Sequence, residues 1–148
     1  MKPTKILLPI NFYTIITQII LTIVVDYTKE SNIEKQLEYY KNEVDIDYTT
    51  EMNKLNRLIV ASYILLSLEL ISMFVSWTIF INKLTVFKII LHLISDLCLC
   101  WFIWQSWISE KFWIVFTLGC ICCLILEFFG LINARFLRRI DKEHKYFY

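Results

Sequence analysis

Four apolar stretches, each about as long as a helix that crosses a membrane, make up most of this 148-residue chain. They occupy residues 6–25, 58–81, 86–107 and 112–134. A helix needs about 20 apolar residues to cross a bilayer core of about 30 Å, and each stretch meets that length. The longest segment between them, residues 26–57, is too short to bury a core of its own. The sequence therefore predicts one all-α membrane domain over residues 1–148, a four-helix (tetraspan) bundle.

Three of the four predicted spans carry an acidic residue near the middle. These acids are Glu69, Asp96 and Glu127, and the third span also contains His92. A charge in the hydrocarbon core is costly, so these side chains should face a neighbouring helix or a cavity. His92 and Glu127 both lie roughly 6 Å from the midplane at 1.5 Å per residue, and we expect them to pair. Glu69 and Asp96 lie at one level, where we expect the two carboxyl groups to share a proton or at least one of them to stay neutral.

The partly polar interior is open to three interpretations. Buried polar groups between spans commonly fix which helices pair, and interhelical hydrogen bonding is the first interpretation. The alternative is a small transporter or channel subunit that uses the intramembrane acids, although residues 97–104 carry no charged group to continue a path. A lipid-modifying enzyme would need an apolar cleft beside His92, and the chain has no HExxH or GxSxG motif. We therefore expect no catalytic residue.

The five cysteines all lie inside the predicted spans. Cysteine packs well between helices as a small apolar side chain, and we interpret these residues in that way. Together with the two histidines they show no zinc-ligand spacing along the chain. The sequence thus predicts no metal, no cofactor and no nucleic-acid partner.

Basic residues are distributed unequally between the two sides of the predicted bundle. Nine lie in the termini or in and beside the 82–87 connection, Lys88 included, and six belong to the opposite side. Lysine and arginine favour the cytoplasmic side, so we place both termini in the cytoplasm and residues 26–57 on the exoplasmic side. Five basic residues after the fourth span are candidates for contact with lipid headgroups. These are Arg135, Arg138, Arg139, Lys142 and Lys145.

The exoplasmic segment contains a pattern typical of a helix start. Ser31 and Glu34 have the spacing of a capping box, which satisfies backbone donors at a helix N-terminus. An apolar face follows at Ile33, Leu37 and Tyr40. We expect a short amphipathic helix over residues 32–42, which lies on the membrane surface or caps the bundle, with Thr49 or Thr50 capping the second helix.

Several landmarks keep a distinctive order and spacing along the chain. They are Phe12, the Lys-Glu-Ser-Asn-Ile run at 29–33, Glu69 between two leucines, Asn82, His92, Trp107, Trp113 and Glu127. This order resembles the transmembrane protein 107 family over residues 12–137. Members of that family are small tetraspan proteins of the ciliary transition zone. The chain departs from the family pattern at Lys88, at Asp96 and through residues 36–50.

The resemblance implies a function that composition and spacing do not show. It implies a non-catalytic structural component of the ciliary transition-zone membrane complex, which supports cilium assembly and gates the composition of the ciliary membrane. The implied partners are membrane lipids and other transition-zone membrane proteins of the complex linked to Meckel and Joubert syndromes. Three polar positions match the family pattern and are the best candidates for a role that the fold requires: Glu69, His92 and Glu127.

Overall fold

The structure, a computed structural model, describes residues 4–40, 47–75, 82–105, 111–130 and 132. Four helices in this part are long and apolar enough to cross a membrane. They are α1 (Thr4–Tyr40), α2 (Tyr48–Val75), α3 (Asn82–Gln105) and α4 (Phe112–Gly130). The residues that the structure describes include no β-strand. The predicted all-helical tetraspan architecture is therefore confirmed, and the chain is a multi-pass membrane protein.

The prediction of a separate helix over residues 32–42 is wrong, because α1 continues without a break to Tyr40. At 37 residues α1 is about 55 Å long, well beyond the roughly 30 Å of a bilayer core. Residues 26–40 contain no Gly or Pro to stop the helix, and Ile33 is fully buried against the neighbouring core. The Ser31 pattern that resembled a helix start therefore lies inside a continuous helix.

The second helix also begins earlier than its apolar stretch, at Tyr48. Its first turns pack beside the end of α1, where Ile33 and Leu55 belong to one apolar cluster. Lys29 Nζ connects the two helices by donating to Asn56 Oδ1 and Asp26 Oδ1, each at 2.8 Å. Much of the segment expected as a loop is therefore a pair of helical extensions.

Asp47, rather than Thr49 or Thr50, caps the N-terminus of α2. Its carboxylate accepts hydrogen bonds from both threonine hydroxyls and from the Thr49 backbone N–H. Its carbonyl accepts the first hydrogen bond of the helix from Glu51 N at 3.1 Å. The hydrogen bonds from Thr49 and then Thr50 lower the pKa of Asp47 below its ordinary value, because they stabilise the ionised form.

The interior of the bundle is divided into an apolar end and a polar end. The apolar end lies beside the α1–α2 extensions and is built around Leu55, Leu99, Phe102 and Phe112. Phe102 and Phe112 meet edge to face with ring centroids 5.4 Å apart. The polar end lies toward the N-terminus of α1, and it contains the candidate site.

Candidate functional site

Four ionisable side chains meet at the polar end of the bundle. We call Glu69, Lys88, His92 and Glu127 the charged cluster. Lys88 Nζ contacts Glu127 Oε2 and lies 2.9 Å from Glu69 Oε1. His92 Nε2 lies 3.0 Å from the same Glu69 oxygen. Glu69 and His92 are completely buried and Lys88 is 4% exposed, so these charges compensate one another out of contact with solvent.

The predicted His92–Glu127 pair is wrong. Glu127 instead contacts Lys88 and accepts a hydrogen bond from Ser72 Oγ at 3.0 Å. Lys88 and His92 are four residues apart on α3 and share a helix face. The lysine has the longer side chain and reaches both glutamates, while the shorter imidazole ring reaches only Glu69. Among the sequence-predicted residues, the structure thus brings Glu69, His92 and Glu127 together around a cation from α3.

Asp96 lies outside the charged cluster. It is 8% exposed, and its Oδ1 has no hydrogen-bond partner among the residues that the structure describes. Glu69 Oε1 is held by Lys88 and His92, and a proton shared between Glu69 and Asp96, or one neutral acid of the two, stays a prediction. In the part of the chain described here, Glu69 Oε2 has no hydrogen-bond partner either.

Gln18 of α1 fixes the orientation of the His92 ring. Its Nε2 donates to Ser95 Oγ at 3.1 Å, and Ser95 in turn donates to the Val115 carbonyl at 3.3 Å. That chain of donors leaves Gln18 Oε1 as the acceptor facing His92 Nδ1, so Nδ1 carries a hydrogen. The fully buried His92 is therefore held in a defined tautomer by a side chain from another helix.

One proton must lie on the contact between His92 Nε2 and Glu69 Oε1. With Nδ1 protonated, a neutral ring would turn the Nε2 lone pair toward a carboxylate, which is repulsive. The proton resides either on the ring, giving an ion pair, or on Glu69, giving two neutral groups. In both cases the charged cluster sums to zero, because Lys88 balances Glu127. Electroneutrality is what burial in a low-dielectric interior requires.

Gly119 allows α4 to approach this polar layer closely. A Cβ at this position would lie 2.0 Å from Gln18 Nε2 and 2.2 Å from Ser95 Oγ, far inside van der Waals contact. A π-helical turn at Thr117–Ile121 surrounds the glycine. Sequence reasoning missed Gly119, although a glycine inside an apolar span, in a chain with only two glycines, is the signal that could have indicated it.

Cys123, also on α4, lies beside the charged cluster. Its sulfur and ligand atoms of Glu69 and His92 all lie within 4.8 Å of one another, and all three residues are buried. Sequence spacing could not indicate this group, because its members come from three helices. The five basic residues predicted to contact lipid headgroups lie outside the described residues.

Comparisons with known proteins agree with the architecture. A family model for transmembrane protein 107 (TMEM107), described as a transmembrane protein, matches residues 7–131. Transmembrane protein 107 of Danio rerio is 24% identical over 139 residues, covering 93% of this chain and 100% of the fish protein. No solved structure matches the chain. With a family match over most of its length, the chain belongs to the transmembrane protein 107 family.

Proposed function

We propose that this chain is a non-catalytic structural component of the ciliary transition-zone membrane complex. In this role it supports cilium assembly and gates which proteins enter the ciliary membrane. Membership of the transmembrane protein 107 family, matched over residues 7–131, is the observation that carries the proposal. The relative from Danio rerio supports it, since the similarity covers the whole of that protein.

The chemistry of the charged cluster supports a structural role. A catalytic acid or base must come within hydrogen-bond reach of a substrate. Glu69 and His92 are instead completely buried, and they contact each other, Lys88 and Gln18. Groups used in this way hold helices together, since each contact joins different spans.

The proposed partners are membrane lipids and other transition-zone membrane proteins of the complex linked to Meckel and Joubert syndromes. Large apolar side chains on the outer faces of the helices offer surfaces for both. Leu97 and Trp104 of α3 are 70% and 89% exposed, for example. The proposal places both termini in the cytoplasm, as the distribution of basic residues predicts.

A small transporter or channel subunit is the alternative function. The buried Glu69 Oε2, which has no hydrogen-bond partner among the described residues, is the observation that favours it. Burial of the charged cluster opposes it, because an ion path needs polar groups that are continuous with one face of the membrane. Ion flux through proteoliposomes of the purified chain, abolished by Glu69→Gln, would favour transport over scaffolding.

Rescue of ciliated cells that lack the chain tests the proposed function. The measurements are the fraction of cells with cilia and the exclusion of a non-ciliary membrane protein from the cilium. We expect the wild-type chain and Gly130→Ala to restore both, and Gly119→Ala to restore them less well. Normal cilia and normal exclusion in cells that lack the chain would contradict the proposal.

A further inference from the structure

We propose that Glu69, His92 and Cys123 form a binding site for one divalent ion of the zinc type at the polar end of the bundle. This proposal goes beyond the proposed ciliary function and does not depend on it. The site unites α2, α3 and α4 around a single ion. Because such an ion binds the folded protein and not the unfolded chain, it would raise the free energy of unfolding of the bundle.

The positions of the three side chains suit tetrahedral coordination. Their ligand atoms lie within 4.8 Å of one another. A zinc ion with nitrogen and oxygen at about 2.1 Å and sulfur at about 2.3 Å needs ligand atoms roughly 3.3–3.7 Å apart. The ligand atoms therefore lie within roughly 1 Å of the separations that a zinc ion needs.

The unpartnered Glu69 Oε2 supplies an independent indication of a ligand. Glu69 is completely buried, and within the described ranges this oxygen accepts no hydrogen bond. A buried acceptor without a partner costs free energy, so such atoms commonly have an unseen partner. Coordination of the ion by Oε2 would satisfy this oxygen. With His92 Nε2 and Cys123 Sγ, the site then has three protein ligands and an open fourth position of the tetrahedron.

Gln18 prepares His92 for metal binding. A metal-binding histidine characteristically donates its second ring N–H to a carbonyl or carboxylate oxygen, and this hydrogen bond fixes the ligand tautomer. His92 Nδ1 contacts Gln18 Oε1 in this way, and this leaves Nε2 facing Glu69 as the ring atom that would bind the ion once its proton is released. The hydrogen bond therefore matches the outer contact of a zinc site.

The π-helical turn of α4 lies directly before the third ligand. It covers Thr117–Ile121, and Cys123 Sγ lies 3.6 Å from the Leu118 carbonyl oxygen within that turn. Single π-helical turns are rare and frequently occur at functional sites, because they change the direction of the side chains around them. Here the turn contains Gly119 and ends two residues before Cys123, and these two residues lie where α4 meets the polar layer.

Charge balance allows the ion despite the nearby Lys88. Binding releases two protons, one from the His92–Glu69 contact and one from the Cys123 thiol. Two positive charges leave and two arrive, so the site keeps the net charge of zero that it has without the ion. Lys88 keeps its contacts with Glu127 Oε2 and Glu69 Oε1, and its charge balances the Glu127 carboxylate. The exchange therefore places no uncompensated charge in the low-dielectric interior.

Metal content of the full-length, tag-free protein in detergent tests the proposal. After loading with Zn²⁺ and gel filtration, we expect about one ion per chain by mass spectrometry. Loading with Co²⁺ should give visible d–d bands and a thiolate-to-cobalt charge-transfer band. Cys123→Ala should remove the charge-transfer band. Cys122→Ala is the matched control and should keep it, because Cys122 is the adjacent cysteine and is not among the proposed ligands.

A second variant separates metal binding from folding. Gln18→Ala keeps all three ligands but removes the hydrogen bond to His92, and should weaken Zn²⁺ affinity about 10- to 100-fold. Helical circular dichroism and a single gel-filtration peak define folded protein in each preparation. Folded wild-type protein that retains no Zn²⁺ after loading would overturn the proposal. A Co²⁺ spectrum that is the same in Cys123→Ala as in the wild type would overturn it as well.

Discussion

Gly119 is the position where the addition of one methyl group should disturb the bundle most. In Gly119→Ala the new Cβ would lie 2.0 Å from Gln18 Nε2 and 2.8 Å from Ser95 Cβ. The Gln18 amide can swing away, but Ser95 Cβ is fixed to the backbone of α3. Relief of the clash therefore requires α3 and α4 to separate.

The magnitude follows from three contributions. Overpacking costs about 1–3 kcal/mol. Loss of the Gln18–Ser95 hydrogen bond costs about 0.6 kcal/mol, the average for such bonds within membranes. The higher helix propensity of alanine returns about 0.8–1 kcal/mol. We expect a net loss of about 1–3 kcal/mol in the free energy of unfolding.

Denaturant unfolding in detergent micelles, followed by circular dichroism, measures this loss. Gly130→Ala is the matched control, because the nearest heavy atom to its new Cβ, Leu84 Cδ1, is 3.7 Å away. The control should be neutral or slightly stabilising. Equal stability of the two variants would refute the close approach of α4 to Gln18 and Ser95.

Three further predictions concern charged residues. Lys88→Met leaves the buried Glu69 and the partly buried Glu127 without their cation and should cost about 3–5 kcal/mol of unfolding free energy. The control Lys54→Met removes a half-exposed lysine from its pair with Glu51 and should change the unfolding free energy little. Equal losses would contradict a buried Lys88. Glu69→Gln should destabilise the protein more than Glu127→Gln in the same assay, because Glu69 contacts both Lys88 and His92 and is completely buried; the reverse order would show that Glu127 is the main partner of Lys88. Folding lowers the pKa of Asp47, so the stability that its carboxylate contributes is present above the ordinary pKa of 3.8 and is lost as pH falls through the lower pKa of the folded state. Asp47→Asn should therefore lose less thermal stability than the wild type between pH 6 and pH 3. Equal losses would contradict the cap.

The tetraspan fold could be predicted from the sequence because each span is recognisable by its length and its apolar composition. The exoplasmic helix was misplaced for a physical reason. Local signals at Ser31 favour a helix start, but burial of Ile33 beside Leu55 stabilises a continuous helix. Such a tertiary contact between residues far apart in sequence is not encoded in any local pattern.

The members of the site were largely predictable, but their pairing was not. An acid or histidine in an apolar span indicates a buried polar site, and this rule found Glu69, His92 and Glu127. Residue depth alone could not show that Lys88 turns inward, because lysine side chains can equally extend to the membrane surface. Two contacts were not predicted: that of Gln18 with His92, and the close approach of Gly119 to Gln18 and Ser95. The rotation of each helix about its own axis decides which residues of α1 and α4 face α3, and the sequence does not give this rotation.

The position of a tagged copy in ciliated cells tests the central claim most directly. Its fluorescence is compared with markers of the basal body and the axoneme. The account predicts a ring just above the basal body, where the transition zone lies. A diffuse endomembrane or mitochondrial signal, from a copy that is expressed at full length, would contradict a structural role at the ciliary gate.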